Sequence, residues 1–348
     1  MATMLDYINE EEAILKQIMM KYQPVAEPDL EQLTTLLILA TGSSYNACLA
    51  AKATMEKIAN ISITIEEPYN FNHYGTIPNS VDAVLAVSQS GKSASTIDAM
   101  AHIKEKGKLT IALTGNSESP LSDMVDYLVD IDMGIETVGF VTKGYSATVL
   151  QLILLSLTIG HSKGIVAEKI DFYQRELDKV IDKIPEIIEQ SNHFFERYEE
   201  LFKVSSRYIA IGYGPNWGTA KEFETKFTET VRQPSQGFEL EAYMHGPYLE
   251  ANNEHILFFI ETPSVNLARS KKLRDYMKPY VGKVLTITTE KSVDEGTLGL
   301  DINCDEFVSQ LALVIPFQLL AYKIATTKGI DLNQRIFDDF DRILQSKI

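Results

Sequence analysis

The chain has 348 residues, 45% of them hydrophobic and 23% charged, and 48 Asp and Glu against 32 Lys and Arg give a formal net charge of −16. That length suits two domains, each burying its own core, while the acidic surface excludes binding driven by nucleic-acid or anionic-membrane electrostatics. Cys48 and Cys304 are too few for a disulfide framework, and the six histidines show no metal-ligand spacing, so no metal is implied. Met1 to Glu12 lacks the basic-then-apolar pattern of a signal peptide. The longest apolar run, Val149 to Ile159, is short for a membrane span and is broken by Gln151, Ser156 and Thr158. A soluble, cytoplasmic protein is the expectation.

Met4 to Met20 reads as one amphipathic helix, with Leu5, Ile8, Ile14, Leu15 and Ile18 near helical spacing. Strand-like apolar runs follow at Leu36 to Ala40, Ile61 to Ile65, Ala83 to Val87, Leu109 to Leu113 and Tyr127 to Ile131. Helical patterns separate several of them, from Tyr45 to Ala59 and from Ser93 to about Lys106, and Ala147 to about Gly160 closes this half. Uniformly apolar strands alternating with helices mean an α/β fold with a parallel sheet covered on both faces. Ile165 to about Phe202 reads as connecting helices, after which the pattern restarts. A strand at Tyr208 to Ile211 leads through Gly212-Tyr213-Gly214-Pro215-Asn216 into a helix from Trp217 to Val231, with further strands at His255 to Ile260 and Lys283 to Thr288. The recurring order predicts an internal duplication: a domain over 1–165, connecting helices over 166–200 and a second domain with a tail over 201–348.

Three strand exits in the first half are rich in small hydroxyl residues: Thr41-Gly42-Ser43-Ser44, Ser88-Gln89-Ser90-Gly91-Lys92-Ser93 and Thr114-Gly115-Asn116-Ser117. All three read as strand-to-helix turns. Ligands of a parallel sheet sit at the carboxyl ends of its strands, where helix N-termini offer backbone N–H groups to an anion and glycine allows close approach. The same residue types also serve as plain helix N-caps. Neither a G-x-G-x-x-G pattern nor a P-loop is present, so a nucleotide is not indicated. In the second half, the Trp217–Val231 helix carries an apolar stripe of Trp217, Ala220, Phe223, Phe227 and Val231. Glu222 and Lys226, at i and i+4, read as an ion pair on a solvated face. Glu229 lies near the helix C-terminus, where the macrodipole disfavours a carboxylate, a setting suited to a base that takes and returns a carbon-bound proton.

The stretches Thr41-Gly42-Ser43-Ser44-Tyr45 and Val87-Ser88-Gln89-Ser90-Gly91, in this order, resemble the sugar isomerase (SIS) domain. Nearly the whole chain is similar to the isomerase half of glucosamine-6-phosphate synthase and to the stand-alone fructosamine-type 6-phosphate deglycases. The resemblance implies two doubly wound, flavodoxin-like SIS domains and phosphate binding by Ser43, Ser44, Ser88, Gln89, Ser90 and Ser93. It also implies contacts at Gly42, Glu136, Thr142 and Lys143, although Val141 stands where the family has a serine. The family's enolising glutamate and the ring-opening histidine of its His-Gly-Pro motif fall on Glu229 and His245. No cofactor is implied, and the histidine's role implies a homodimer with a shared active site.

Two departures bear on activity. The chain begins Met1-Ala2-Thr3-Met4, without the synthase's catalytic cysteine, so no glutaminase activity is expected. Asp339 and Thr228 replace two synthase lysines, and neither can form an imine with a ketose. The resemblance therefore implies a substrate that brings its own nitrogen, an amine-linked hexose 6-phosphate, with Asp331, Asp338 and Asp339 available to the ammonium. A plain aldose–ketose isomerase and a non-catalytic sugar-phosphate sensor are the alternatives.

Overall fold

The computed structural model describes residues 2–334, 336–337 and 339–347. The first sheet is built from β1 (Thr35–Ala40), β2 (Ser62–Glu66), β3 (Ala83–Val87), β4 (Leu109–Thr114) and β5 (Tyr127–Asp130). The helices in this stretch of the chain are α1 (Met4–Asn9), α2 (Glu11–Lys21), α3 (Ser43–Ala59), α4 (Pro68–Tyr74), α5 (Ala94–Lys104) and α6 (Lys143–Ser162) in chain order. After α7 (Ala167–Asp182) and α8 (Ile184–Val204) come β6 (Arg207–Gly212), α9 (Asn216–Thr230), β7 (Ser235–Glu239), α10 (Leu240–Met244), β8 (His255–Glu261), α11 (Leu267–Met277), β9 (Lys283–Thr288) and β10 (Thr297–Gly299). The helices α12 (Gln310–Leu313), α13 (Ile315–Thr327) and α14 (Phe340–Leu344) complete the chain.

All pairings within each sheet are parallel. The first sheet has the order β2-β1-β3-β4-β5 and the second, read from its other edge, β7-β6-β8-β9-β10. Both are thus the doubly wound order 2-1-3-4-5, which realises the expected duplication. Both topologies place a switch point between the first and third strands, β1 and β3 in one sheet, β6 and β8 in the other.

Two compact units partition the chain differently from the linear boundaries expected at 165 and 200. The β1–β5 unit comprises Gln17–Glu136, Lys143–Phe172 and Gln334–Ile348; the β6–β10 unit comprises Met1–Lys16, Thr137–Thr142 and Tyr173–Asn333. The expected N-terminal helix is two helices. At Glu10 one N–H is shared between the carbonyls of Asp6 and Tyr7 at 3.1 and 3.2 Å, a tightening of the α-helical turn that marks the boundary. The helix expected from Ala147 begins at Lys143 instead and runs for 20 residues. It is long and apolar enough to cross a membrane by composition, yet 89% of that stretch is buried within the protein.

In the β6–β10 unit, His255 opens β8 with its side chain fully buried. Its Nδ1 accepts the Asn252 N–H at 3.2 Å, and Nε2 has no partner among the described residues. Burial, then the nearby Arg207 guanidinium, pushes its pKa below the ordinary histidine value of 6.5. The unfolded chain therefore binds a proton more readily, and this contribution to stability is complete above the unfolded pKa and falls away below it. We expect the urea midpoint to drop between about pH 7 and about pH 5, and His255→Gln to shrink that drop.

Candidate active site

The β1–β5 unit presents the two hydroxyl-rich turns side by side, because β1 and β3 are neighbours on either side of the switch point. The first is made by Gly42, whose φ of +60° turns the chain from β1 into α3. The N-cap of α3 is Gly42, which has no side chain to cap the helix. Ser43 and Ser44 are half-buried at the helix start, and the Ser44 and Tyr45 N–H groups have no acceptor among the described residues. At the second turn, Ser93 stands at the N-cap of α5 without a side-chain capping bond, its hydroxyl accepting instead from Thr96 Oγ1 at 3.0 Å. The N–H groups of Gln89 and Ser90 likewise have no acceptor among the described residues. Backbone donors left over at the start of α3 and in the turn that leads from β3 towards α5 are groups of the kind that bind an anion.

Gly91 is dictated by the turn. Its φ is +65°, and a Cβ there would lie 2.1 Å from Ser119 Oγ. Ser88 is buried, Ser90 is exposed, and the Ser90 hydroxyl accepts the Lys92 N–H at 3.3 Å. The Gln89 amide turns to Met133, donating to its Sδ at 2.9 Å, and packs so closely on Gly144 that a Cβ there would sit 1.6 Å from Gln89 Nε2. Glu136 Oε2 accepts the Gly144 N–H at 3.0 Å, placing a carboxylate at the positive end of α6. Lys143 is buried at that helix start. Thr142, assigned to the other unit, is buried, and its carbonyl accepts from Gln318 Nε2 at 3.3 Å.

The tail adds a contact that the sequence did not suggest. Lys347 bridges to Ser93, and Ser346 accepts the Ala94 N–H at 3.3 Å, so one donor of the α5 start is already engaged. The third hydroxyl-rich exit does not lead to an α-helix as expected. Only a single 3-10 turn, Ser122–Met124, follows it, and its polar groups close on themselves, with Ser122 Oγ donating to the Asn116 carbonyl at 2.9 Å.

The equivalent switch point of the β6–β10 unit is filled. The Tyr213 hydroxyl crosses from the β6 exit to the β8 exit, donating to the Thr262 carbonyl at 2.7 Å and accepting the Thr262 N–H at 2.9 Å. Beside it, Glu261 is buried against Arg274 at 2.6 Å and Ser270 at 2.8 Å. Burial raises its pKa above the usual carboxylate value.

The same unit carries the acid–base candidates. Ala220, Phe223, Phe227 and Val231 are buried as the stripe predicts, but Trp217 is 38% exposed. The Glu222–Lys226 pair is not on a solvated face: each side chain is only 1% exposed, with Nζ 3.3 Å from Glu222 Oε1. Helical spacing alone could not reveal this, because it fixes which residues share a face and not what covers that face. Lys226 also reaches Glu229 Oε1 at 2.5 Å. Glu229 is 31% exposed, and its Oε2 has no partner among the described residues. The nearby ammonium thus opposes the helix-end field that sequence position alone suggested.

His245 ends α10 and is followed by Gly246, whose φ is +130°. The imidazole is 78% exposed, with Nε2 3.7 Å from Glu241 Oε2. Arg269 also pairs with Glu241, and its hydrogen bond holds that carboxyl below the usual range. In the tail, Asp339 is exposed and Asp331 Oδ1 accepts the Asn333 N–H at 2.9 Å; Asp338 lies outside the described residues. No group of three or more His, Cys, Asp or Glu is placed to hold a metal ion among the described residues.

Residues 29–159 match the model of the SIS domain. The chain is 27% identical over 309 residues to the glutamine–fructose-6-phosphate aminotransferase (isomerizing) of Chlorobaculum tepidum, covering 88% of this chain and 50% of that protein. The Gloeobacter violaceus protein of the same name is 28% identical over 313 residues, covering 88% and 51%. The chain thus spans about half the length of the curated relatives it matches. Among solved structures, a candidate phosphosugar isomerase from Clostridium difficile 630 superposes with a TM-score of 0.90 at 26% identity, covering 100% of this chain and 99% of the other. The C-terminal domain of glucosamine-fructose-6-phosphate aminotransferase from Francisella tularensis shares the fold, with a TM-score of 0.87 at 20% identity over 94% and 96% of the chains.

The open switch point of the β1–β5 unit should take one inorganic phosphate ion per chain. Gly91→Ala should weaken that binding by at least about tenfold, since a left-handed backbone costs a residue with a Cβ about 1–2 kcal/mol before the clash with Ser119 is counted. Isothermal titration supplies both stoichiometry and affinity.

Proposed function

We propose that this chain is a phosphosugar isomerase-type enzyme that enolises a hexose 6-phosphate, and that its substrate carries an amine on C1, so that the net reaction is deglycation. The observation that carries the reading is the set of N–H donors at Ser44, Tyr45, Gln89 and Ser90 without an acceptor among the described residues, at the start of α3 and in the turn that leads from β3 towards α5. The names of the Clostridium difficile and Chlorobaculum tepidum relatives support a phosphorylated sugar as the ligand class.

In the proposed reaction, His245 relays a proton to the ring oxygen and opens the sugar to its C2 ketone. Glu229 Oε2 takes a proton from C1; the electron pair forms the C1–C2 double bond and the C2 oxygen gains a proton, giving an enolamine. Return of a proton to C2 with loss of the N–H proton leaves an imine at C1. Water adds there, the C–N bond breaks, and the free amine departs from an aldose 6-phosphate. Thr228 and Asp339 support a substrate that already carries nitrogen, because neither can form the imine that a lysine would supply. A plain aldose–ketose isomerase is the second reading, favoured by the name of the Clostridium difficile relative; the chemistry then stops at reprotonation.

The 78% exposed imidazole of His245 supports its use in the active site of a second copy, in a homodimer. Incubation with amine-linked hexose 6-phosphates, read by mass spectrometry, should release free amine. Glu229→Gln should lower turnover by at least about a thousandfold while leaving binding within about threefold. Interconversion of hexose phosphates without amine release selects the isomerase, and unchanged ligand response with no turnover by the unaltered chain selects a sensor. Mixed oligomers of Glu229→Gln and His245→Ala chains should regain activity that neither has alone; no regain places both groups in one chain's site.

A further inference from the structure

The buried end of the Glu222–Lys226–Glu229 array has no role in the chemistry above. Glu222 and Lys226 are 1% exposed on a helix whose Phe223 and Phe227 are fully buried, with the Phe223 ring 5.6 Å from that of Phe258 and 5.2 Å from that of Phe317. Burying an ion pair in such surroundings costs several kcal/mol of desolvation per ion, and apolar residues of similar volume often stabilise a fold equally well. Packing alone therefore gives no reason for a carboxylate at 222. The array also has a direction. It runs from the fully buried Glu222 through Nζ, 3.3 Å away, to the Glu229 Oε1 at 2.5 Å, and ends on the open Oε2 of a side chain that is 31% exposed.

We infer that Glu222 is a positioning residue for proton transfer at Glu229, acting through Lys226. Glu222 draws the ammonium back into the helix face, so that it holds Oε1 and leaves Oε2 for the substrate proton. With residue 222 neutral, the ammonium is pulled toward Glu229, the other carboxylate of the array, and bridges both of its oxygens. The lone pairs that must accept the proton are then occupied. This inference rests on Glu229 being the base.

The test is a double-mutant cycle on the 6-phosphosugar that the unaltered enzyme turns over. Glu222→Gln should lower kcat by about tenfold and change KM by less than about twofold, the pattern of an interaction made in the transition state rather than in substrate binding. In a Lys226→Met background the same change should cost less than about twofold, because the route through the ammonium is already gone. Glu222→Asp, which keeps the charge, should recover part of the loss. Equal effects of Glu222→Gln in both backgrounds, or full kcat in the single variant, overturn the inference. If Glu222→Gln does not fold, Glu222→Asp in the two backgrounds makes the same comparison, since the shorter carboxylate shifts the ammonium. An inactive Glu229→Gln alongside a fully active Glu222→Gln sinks only the positioning role, whereas an active Glu229→Gln sinks the base assignment as well.

Discussion

Backbone N–H groups without an acceptor among the described residues stand at the start of α3 and in the turn that leads from β3 towards α5. That is the constraint on which the site depends. The parallel order β2-β1-β3 brings the exits of β1 and β3 side by side, and the positive φ angles of Gly42 and Gly91 shape the turns. A protein of net charge −16 can thereby offer an anion local positive potential from its backbone, without an arginine cluster.

The duplication shows what happens when the same topology is not kept open. At the matching exits of β6 and β8, Tyr213 supplies the hydroxyl that satisfies Thr262 from within the protein, and Glu261 is locked to Arg274. The two units have identical strand order, and the second also carries an array of charges on α9.

Most of the architecture was legible because buried parallel strands are continuous apolar runs. Ala83 to Val87 and Lys283 to Thr288 are read from sequence with the ends that the structure gives them. β7 was missed because Ser235-Gln236-Gly237-Phe238-Glu239 holds a single large apolar residue, and β10 because three residues carry no periodicity. The hydroxyl-rich turns were visible as composition, but whether the serines were spent as caps needed coordinates. The most consequential misreading was the Glu222–Lys226 pair. An i, i+4 spacing looks the same on a solvated face and on a buried one, and only tertiary packing separates the two.

The central claim is that Glu229 exchanges a carbon-bound proton of a phosphorylated sugar. Solvent deuterium incorporation, followed before complete turnover by NMR of the residual substrate at C1 and of the product at C2, tests it most directly. The account predicts deuterium at C1 or C2 with the unaltered protein and none with Glu229→Gln. Conversion with no solvent deuterium at either carbon, or equal incorporation by the two proteins, would contradict it.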